Sequence, residues 1–162
     1  MPIIFLDIDG VLNRTRFFKS TKPWSIDTAL LKNLKQLISQ TNAQVVLAST
    51  WRHEAGGITV ARRLGVPFDD ILPDLRPKSR GDEVRQWLST HAIEGRFIVI
   101  DDDDDGYCSM PLFQPNPRNG LTAEIARAAA AYLNGKTDRD WRRSFVARLF
   151  DCARSLVLGH RG

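Results

Sequence analysis

The chain is poor in the features that would place it in a specialised class. Only two of its 162 residues are cysteines, Cys108 and Cys152, and neither stands in a CxxC pair or any zinc-binding spacing. That excludes a disulfide-rich scaffold and a zinc module, and it predicts two reduced thiols in a cytoplasmic setting. The three histidines, His53, His91 and His160, have no metal spacing either. No apolar run approaches the ~20 residues that cross a bilayer. No basic segment precedes a long apolar one at the start of the chain, so no signal peptide is expected. Internal repeats and low-complexity linkers are lacking too, apart from an aspartate run at 101–105.

What is present is ordinary in amount and uneven in placement. With 43% hydrophobic and 26% charged residues the chain reads as one globular domain with a real core. Its net charge of +4 is concentrated at the C-terminal end, where residues 134–162 hold seven Lys/Arg against three Asp/Glu. The expected division is therefore a domain over 1–133 and a basic helical extension over 134–162. In that extension Trp141, Phe145, Leu149, Cys152 and Leu156 share one helical face, which predicts an amphipathic helix packed on its own domain or on a second subunit.

Three short apolar runs, Ile3–Leu6, Val45–Ala48 and Phe97–Ile100, have the length and β-branched content of buried parallel strands. Helical patterns lie between and after them: "SIDTALLKNLKQLISQ" with Ser25 as cap, "ITVARRLGVP" up to Gly65, "RGDEVRQWLSTH", and "LTAEIARAAAAYL" with Thr122 as cap. "DDILP" reads as a further short strand. Strand–helix alternation predicts an α/β fold, a doubly wound parallel sheet with helices on both faces. In such sheets ligands bind beyond the carboxyl ends of the strands.

All three strand ends carry polar residues there: Asp7 and Asp9, Ser49 and Thr50, Asp101 and Asp102. Two carboxylates one residue apart at the mouth of an apolar sheet are costly, and a divalent cation offsets that cost. Magnesium takes hard oxygen ligands and commonly uses one or two carboxylates with phosphate and water. Asp7 with Asp101 or Asp102 supplies the carboxylates, and the backbone carbonyl of Asp9 a third oxygen. The Asp9 side chain points elsewhere as the strand unwinds and is free to act as acid and base. Gly10 permits a sharp turn against a phosphate. Ser49 or Thr50 offers a hydroxyl, and Arg52, Lys78 and Arg80 offer positive charge to phosphate oxygens.

The same segments resemble the motifs of the haloacid dehalogenase (HAD) superfamily. "DIDGVLN" resembles its first motif, "VVLAST" its second, "PKSR" the site of its third-motif cation, and "FIVIDDDDD" its acidic fourth motif, together spanning roughly residues 2–133. More narrowly, "DGVLN", "STWR", "RGDEVRQWL", "IDDD" and "NGLT" are similar to compact bacterial and phage HAD domains associated with RNA-repair proteins. The resemblance implies that Asp7 is a nucleophile forming an aspartyl-phosphate and that Asp9 is the general acid and base. It also implies a phosphate-orienting Ser49 and magnesium held at Asp101 or Asp102. Ser49 and Thr50 remain alternatives for one role, and Lys78 and Arg80 for another.

Between Asn13 and Val45 there is room for a flap and one helix, and between Arg80 and Phe97 for one helix, so no cap domain is expected. An open site suits a bulky or polymeric phosphate ester. The flap "RTRFFKSTKPW" interleaves Arg14, Arg16, Lys19 and Lys22 with Phe17, Phe18 and Trp24, a composition suited to a nucleic-acid end. The reading is a magnesium-dependent phosphatase or phosphotransferase. Its rival is a catalytically idle module that binds phosphorylated ends or a protein partner, against which the presence of both Asp7 and Asp9 argues.

Overall fold

The computed structural model describes residues 1–14 and 24–136. The C-terminal amphipathic helix and most of the flap therefore lie outside the described residues. In chain order the elements are β1 (Ile3–Leu6), α1 (Thr28–Thr41), β2 (Gln44–Leu47), a turn of 3-10 helix (Thr50–His53), α2 (Gly57–Arg63), β3 (Asp70–Ile71), α3 (Arg80–Thr90), β4 (Phe97–Ile100), β5 (Leu112–Phe113) and α4 (Ala123–Leu133). The strands form one parallel sheet in the order β3-β2-β1-β4-β5.

Alternation along the strands sorts the core into two layers. Ile4, Leu6, Val45, Leu47, Ile98 and Ile100 face one way, onto Leu30, Leu34 and Leu37 of α1 and Ala126 and Ala129 of α4. Ile3, Phe5, Val46 and Val99 face the other way, onto Val84 and Trp87 of α3. Helices thus cover both faces, as the strand pattern predicts. No described helix is long and apolar enough to cross a membrane.

Register is what builds the site. Leu6 of β1 pairs with Leu47 of β2 on one side and Ile100 of β4 on the other. The three strands end level, so Asp7, Ala48 and Asp101 emerge side by side at the carboxyl edge. The Asp7 N–H continues the ladder to the Ile100 carbonyl at 2.9 Å, and the Ala48 N–H reaches the Leu6 carbonyl at 2.8 Å.

Several local expectations shift. β2 starts and ends one residue earlier than the apolar run suggests. α1 is capped by Asp27, whose side chain accepts from the Ala29 N–H, rather than by Ser25. β5 has two residues, too few for a periodic signal. Cys108 is disulfide-bonded, which corrects the expectation of a reduced thiol there. The corresponding expectation for Cys152 lies outside the described residues.

Candidate active site

Asp7 is almost fully enclosed and Asp101 fully so, at 3% and 0% exposure. Carboxylate oxygens of Asp7, Asp101 and Asp102 lie within 4.8 Å of one another. Three negative groups this close in an enclosed position resist ionisation. Burial, and then the charge of Asp101, raises the Asp7 pKa despite the opposing Arg80. Burial also raises Asp101, against the pull of Arg80, the Asp103 N–H and the Tyr107 hydroxyl. Asp102 is raised as well, again chiefly by burial.

Arg80 is the resident counter-charge. Its Nη1 lies 3.1 Å from Asp7 Oδ1 and 3.1 Å from Asp101 Oδ2, and its Nε 3.4 Å from Asp105 Oδ2. Burial works against the guanidinium charge, but Asp7 and Asp101 outweigh it and move the arginine pKa up. Nη1 is nonetheless buried without a well-directed hydrogen bond. One Nη1 thus faces both Asp7 and Asp101 and satisfies neither in line. Those hard oxygen donors, with charge left uncompensated, fit a divalent cation.

The loop after β4 holds this arrangement against α3. The Asp105 carboxylate accepts from the Arg80 backbone N–H at 3.1 Å, and its carbonyl accepts from the Gly81 N–H at 2.9 Å. A Cβ on Gly81 would fall 1.9 Å from the Gly106 carbonyl oxygen, so only glycine allows this approach. Ser79 caps α3 through a reciprocal box with Asp82. Asp105 is therefore a residue that positions Arg80, while Asp103 and Asp104 are exposed. The Tyr107 hydroxyl donates to Asp101 Oδ2 at 2.8 Å inside the core. Burial, and then the Asp101 charge, raise the tyrosine pKa and keep that proton in place.

Gly10 has a left-handed backbone, φ +71°, and a Cβ there would fall 2.3 Å from the Asp102 carboxyl carbon. Its N–H donates to Asn13 Oδ1 at 2.9 Å. The glycine thus makes room for an acid from another strand as well as for a turn.

The Asp9 carboxylate stands outside the acidic group, so no described contact supports its side chain as a cation ligand. Asp9 Oδ1 accepts from Asn13 Nδ2 at 2.7 Å and Oδ2 from Trp51 Nε1 at 2.9 Å. Ser49 is fully buried just beyond the end of β2, where its hydroxyl accepts from the Trp51 N–H at 3.4 Å. Thr50 is exposed in the 3-10 turn.

Of the two candidate cations, Arg80 lies against Asp7, whereas Lys78 is exposed. Arg52, expected to reach phosphate, is placed otherwise. Its guanidinium pairs with Glu83 and donates to the carbonyls of Ala48 and Ser49, with the side chain only 4% exposed. A buried arginine needs its own carboxylate, and Glu83 on α3 provides it. The flap residues Arg14 and Trp24 are also engaged within the fold, with Asp27 at 3.1 Å and with the edge of Trp51. Arg16, Phe17, Phe18, Lys19 and Lys22 lie outside the described residues.

Tyr107, Glu83 and the anchoring role of Asn13 are not evident from the sequence. Only the place of Asn13 inside "DGVLN" hints at a role, since four residues along a tight turn can bring its amide back to Asp9.

A level row of acids at the carboxyl edge of a small parallel sheet, with no cap domain among the described residues, defines a compact α/β domain of the HAD class. The chain matches the family described as the HAD domain in Swiss Army Knife RNA repair proteins over residues 3–126, and it belongs to that family. No curated protein and no solved structure matches it.

Proposed function

We propose that the protein is a magnesium-dependent phosphohydrolase acting through an aspartyl-phosphate on Asp7. The observation that carries this reading is the juxtaposition of buried Asp7 with Asp101, Asp102 and Arg80, while Asp9 is held apart from them. Asp7, Asp101 and Asp102 would hold the cation, which when bound supplies positive charge to the carboxylates and the phosphate together. Attack by an Asp7 oxygen forms a bond to phosphorus as the ester oxygen leaves with a proton from Asp9. In the second half, water attacks phosphorus, passes a proton to Asp9 and frees the Asp7 carboxylate. Ser49, the turn at Gly10 and Arg80 orient the phosphate oxygens.

The family's association with RNA repair favours phosphorylated nucleic-acid ends as substrate. A cytoplasmic location would follow from that substrate.

The test is phosphate release, with and without magnesium, from p-nitrophenyl phosphate, nucleoside monophosphates, and RNA and DNA oligomers phosphorylated at either end. Release should need magnesium, favour oligomer ends, and fall at least about 10³-fold in Asp7→Asn, a loss of the size expected for a missing nucleophile. Activity retained by Asp7→Asn would remove the nucleophile assignment. Activity confined to the small esters would remove nucleic acid as the substrate. No release from any member would favour a binding module.

A further inference from the structure

Among the described residues at the strand ends, Asp9 has both carboxylate oxygens taken by side-chain N–H donors. Trp51 Nε1 lies 2.9 Å from Oδ2 and Asn13 Nδ2 lies 2.7 Å from Oδ1. Both donors are themselves fixed. Trp51 is 4% exposed, and its ring meets that of Trp24 edge-on, with centroids 4.7 Å apart and planes at 78°. Asn13 is 2% exposed, its Oδ1 accepts from the Gly10 N–H, and its amide also reaches the Ser25 carbonyl at 3.4 Å. A buried indole usually finds a partner for its N–H. Here the partner is a half-buried carboxylate two residues from the nucleophile.

We infer that Trp51 and Asn13 are positioning residues that fix the Asp9 carboxyl plane, so that its proton meets the departing oxygen. The inference rests on the reading of Asp9 as the acid proposed above. Each carboxyl oxygen has two lone-pair directions, and one neutral donor on each leaves a second direction open. Oδ1 and Oδ2 are held, yet one of them can still carry the proton that the leaving oxygen takes as its bond to phosphorus breaks. Acid catalysis depends on that alignment, because proton transfer needs the two heavy atoms within hydrogen-bond reach as the bond cleaves. A carboxyl free to rotate would spend much of its time misdirected. The donors come from different elements, the turn after β1 and the turn after β2, so the two strand ends set the plane jointly.

A proton matters most when the departing group is a poor one. The experiment therefore measures kcat/KM, which reports the first chemical step, for phosphate monoesters graded from p-nitrophenyl to aliphatic alcohols. Trp51→Phe removes one donor and keeps an aromatic ring against Trp24. Asn13→Ala removes the other donor, together with the acceptor for the Gly10 N–H, and serves if the first variant folds poorly. Each should lose about 10–100-fold more on aliphatic esters than on p-nitrophenyl phosphate, the range typical of supporting residues around a reactive group. The plot of log kcat/KM against leaving-group pKa should steepen accordingly, as it should in Asp9→Asn. Equal losses across the series in both variants, with Asp9→Asn still steepened, would overturn the positioning role and leave the acid assignment standing. An unsteepened Asp9→Asn would overturn the acid assignment, and the positioning role with it.

Discussion

Arg80 and Arg52 are both withdrawn from solvent beside carboxylates, and they differ in how many acids each one faces. Arg52 faces one acid, Glu83, and two carbonyl oxygens, those of Ala48 and Ser49. Glu83 in turn gives its other oxygen to the Leu75 N–H at 3.1 Å. One charge balances the other there, although Arg52 Nε, like Arg80 Nη1, is buried without a hydrogen-bond partner. Arg80 faces Asp7 and Asp101 with Asp102 close by, and its Nη1 has no in-line partner. Negative charge exceeds positive, and burial keeps the acids reluctant to ionise. A closed pair holds the fold together. The cluster around Arg80 carries an excess of buried negative charge, and that cost is borne by the rest of the core.

The largest effect that would sharpen this contrast belongs to the closed pair. Glu83→Ala should destabilise the protein by about 3–5 kcal/mol, because it leaves Arg52 buried without its counter-ion. Urea or thermal denaturation would measure the loss. A change below about 1 kcal/mol would mean that Arg52 finds water or another partner, and that the two arginines are less different than they look.

The open cluster should respond to pH and cation instead. Asp7, Asp101 and Asp102 have native pKa values raised above the ordinary 3.8. Between that value and the raised ones, the native state binds more protons than the unfolded chain. Stability of the metal-free protein should therefore fall as pH rises through that window. The fall should amount to roughly one to a few kcal/mol, since each tenfold change in proton affinity is worth ~1.4 kcal/mol. Magnesium added at pH 7 should recover it by binding only the native state. Asp7→Asn should flatten the fall and be more stable than the parent at pH 7 without metal. Denaturation curves at several pH values would check this, and parallel curves for the two proteins would break the contrast.

Much of the site was legible because strand ends are. Apolar runs of four residues with polar termini located β1, β2 and β4, and parallel pairing made their carboxyl ends meet. That is enough to bring Asp7, Asp101 and Asp102 together. It could not choose Ser49 over Thr50, because a one-residue shift of β2 exchanges them, and the strand does end one residue earlier than the apolar run suggests. Nor could it assign Arg52, whose partner Glu83 lies on a helix far along the chain. Tyr107 and Trp51 are buried aromatics whose polar atoms reach Asp101 and Asp9 only because the loops fold back over the sheet.

The smallest effect expected is at Lys78, the cation that spacing alone could not separate from Arg80. Its side chain is exposed, and its backbone N–H bonds to the Leu75 carbonyl at 3.0 Å, a contact that survives truncation. An exposed ammonium is screened by salt and strongly hydrated, so it adds little to charge neutralisation inside the site. Lys78→Ala should therefore change kcat/KM for p-nitrophenyl phosphate by less than about threefold, the size of an ordinary surface substitution of ~0.5 kcal/mol. Arg80→Lys, by contrast, shortens the side chain and removes the planar guanidinium whose nitrogens span Asp7, Asp101 and Asp105, and it should cost far more. A loss above about tenfold in Lys78→Ala would mean that Lys78 swings in to meet the phosphate. The third-motif role would then pass from Arg80 to Lys78, and Arg80 would join Arg52 as an arginine that serves the fold.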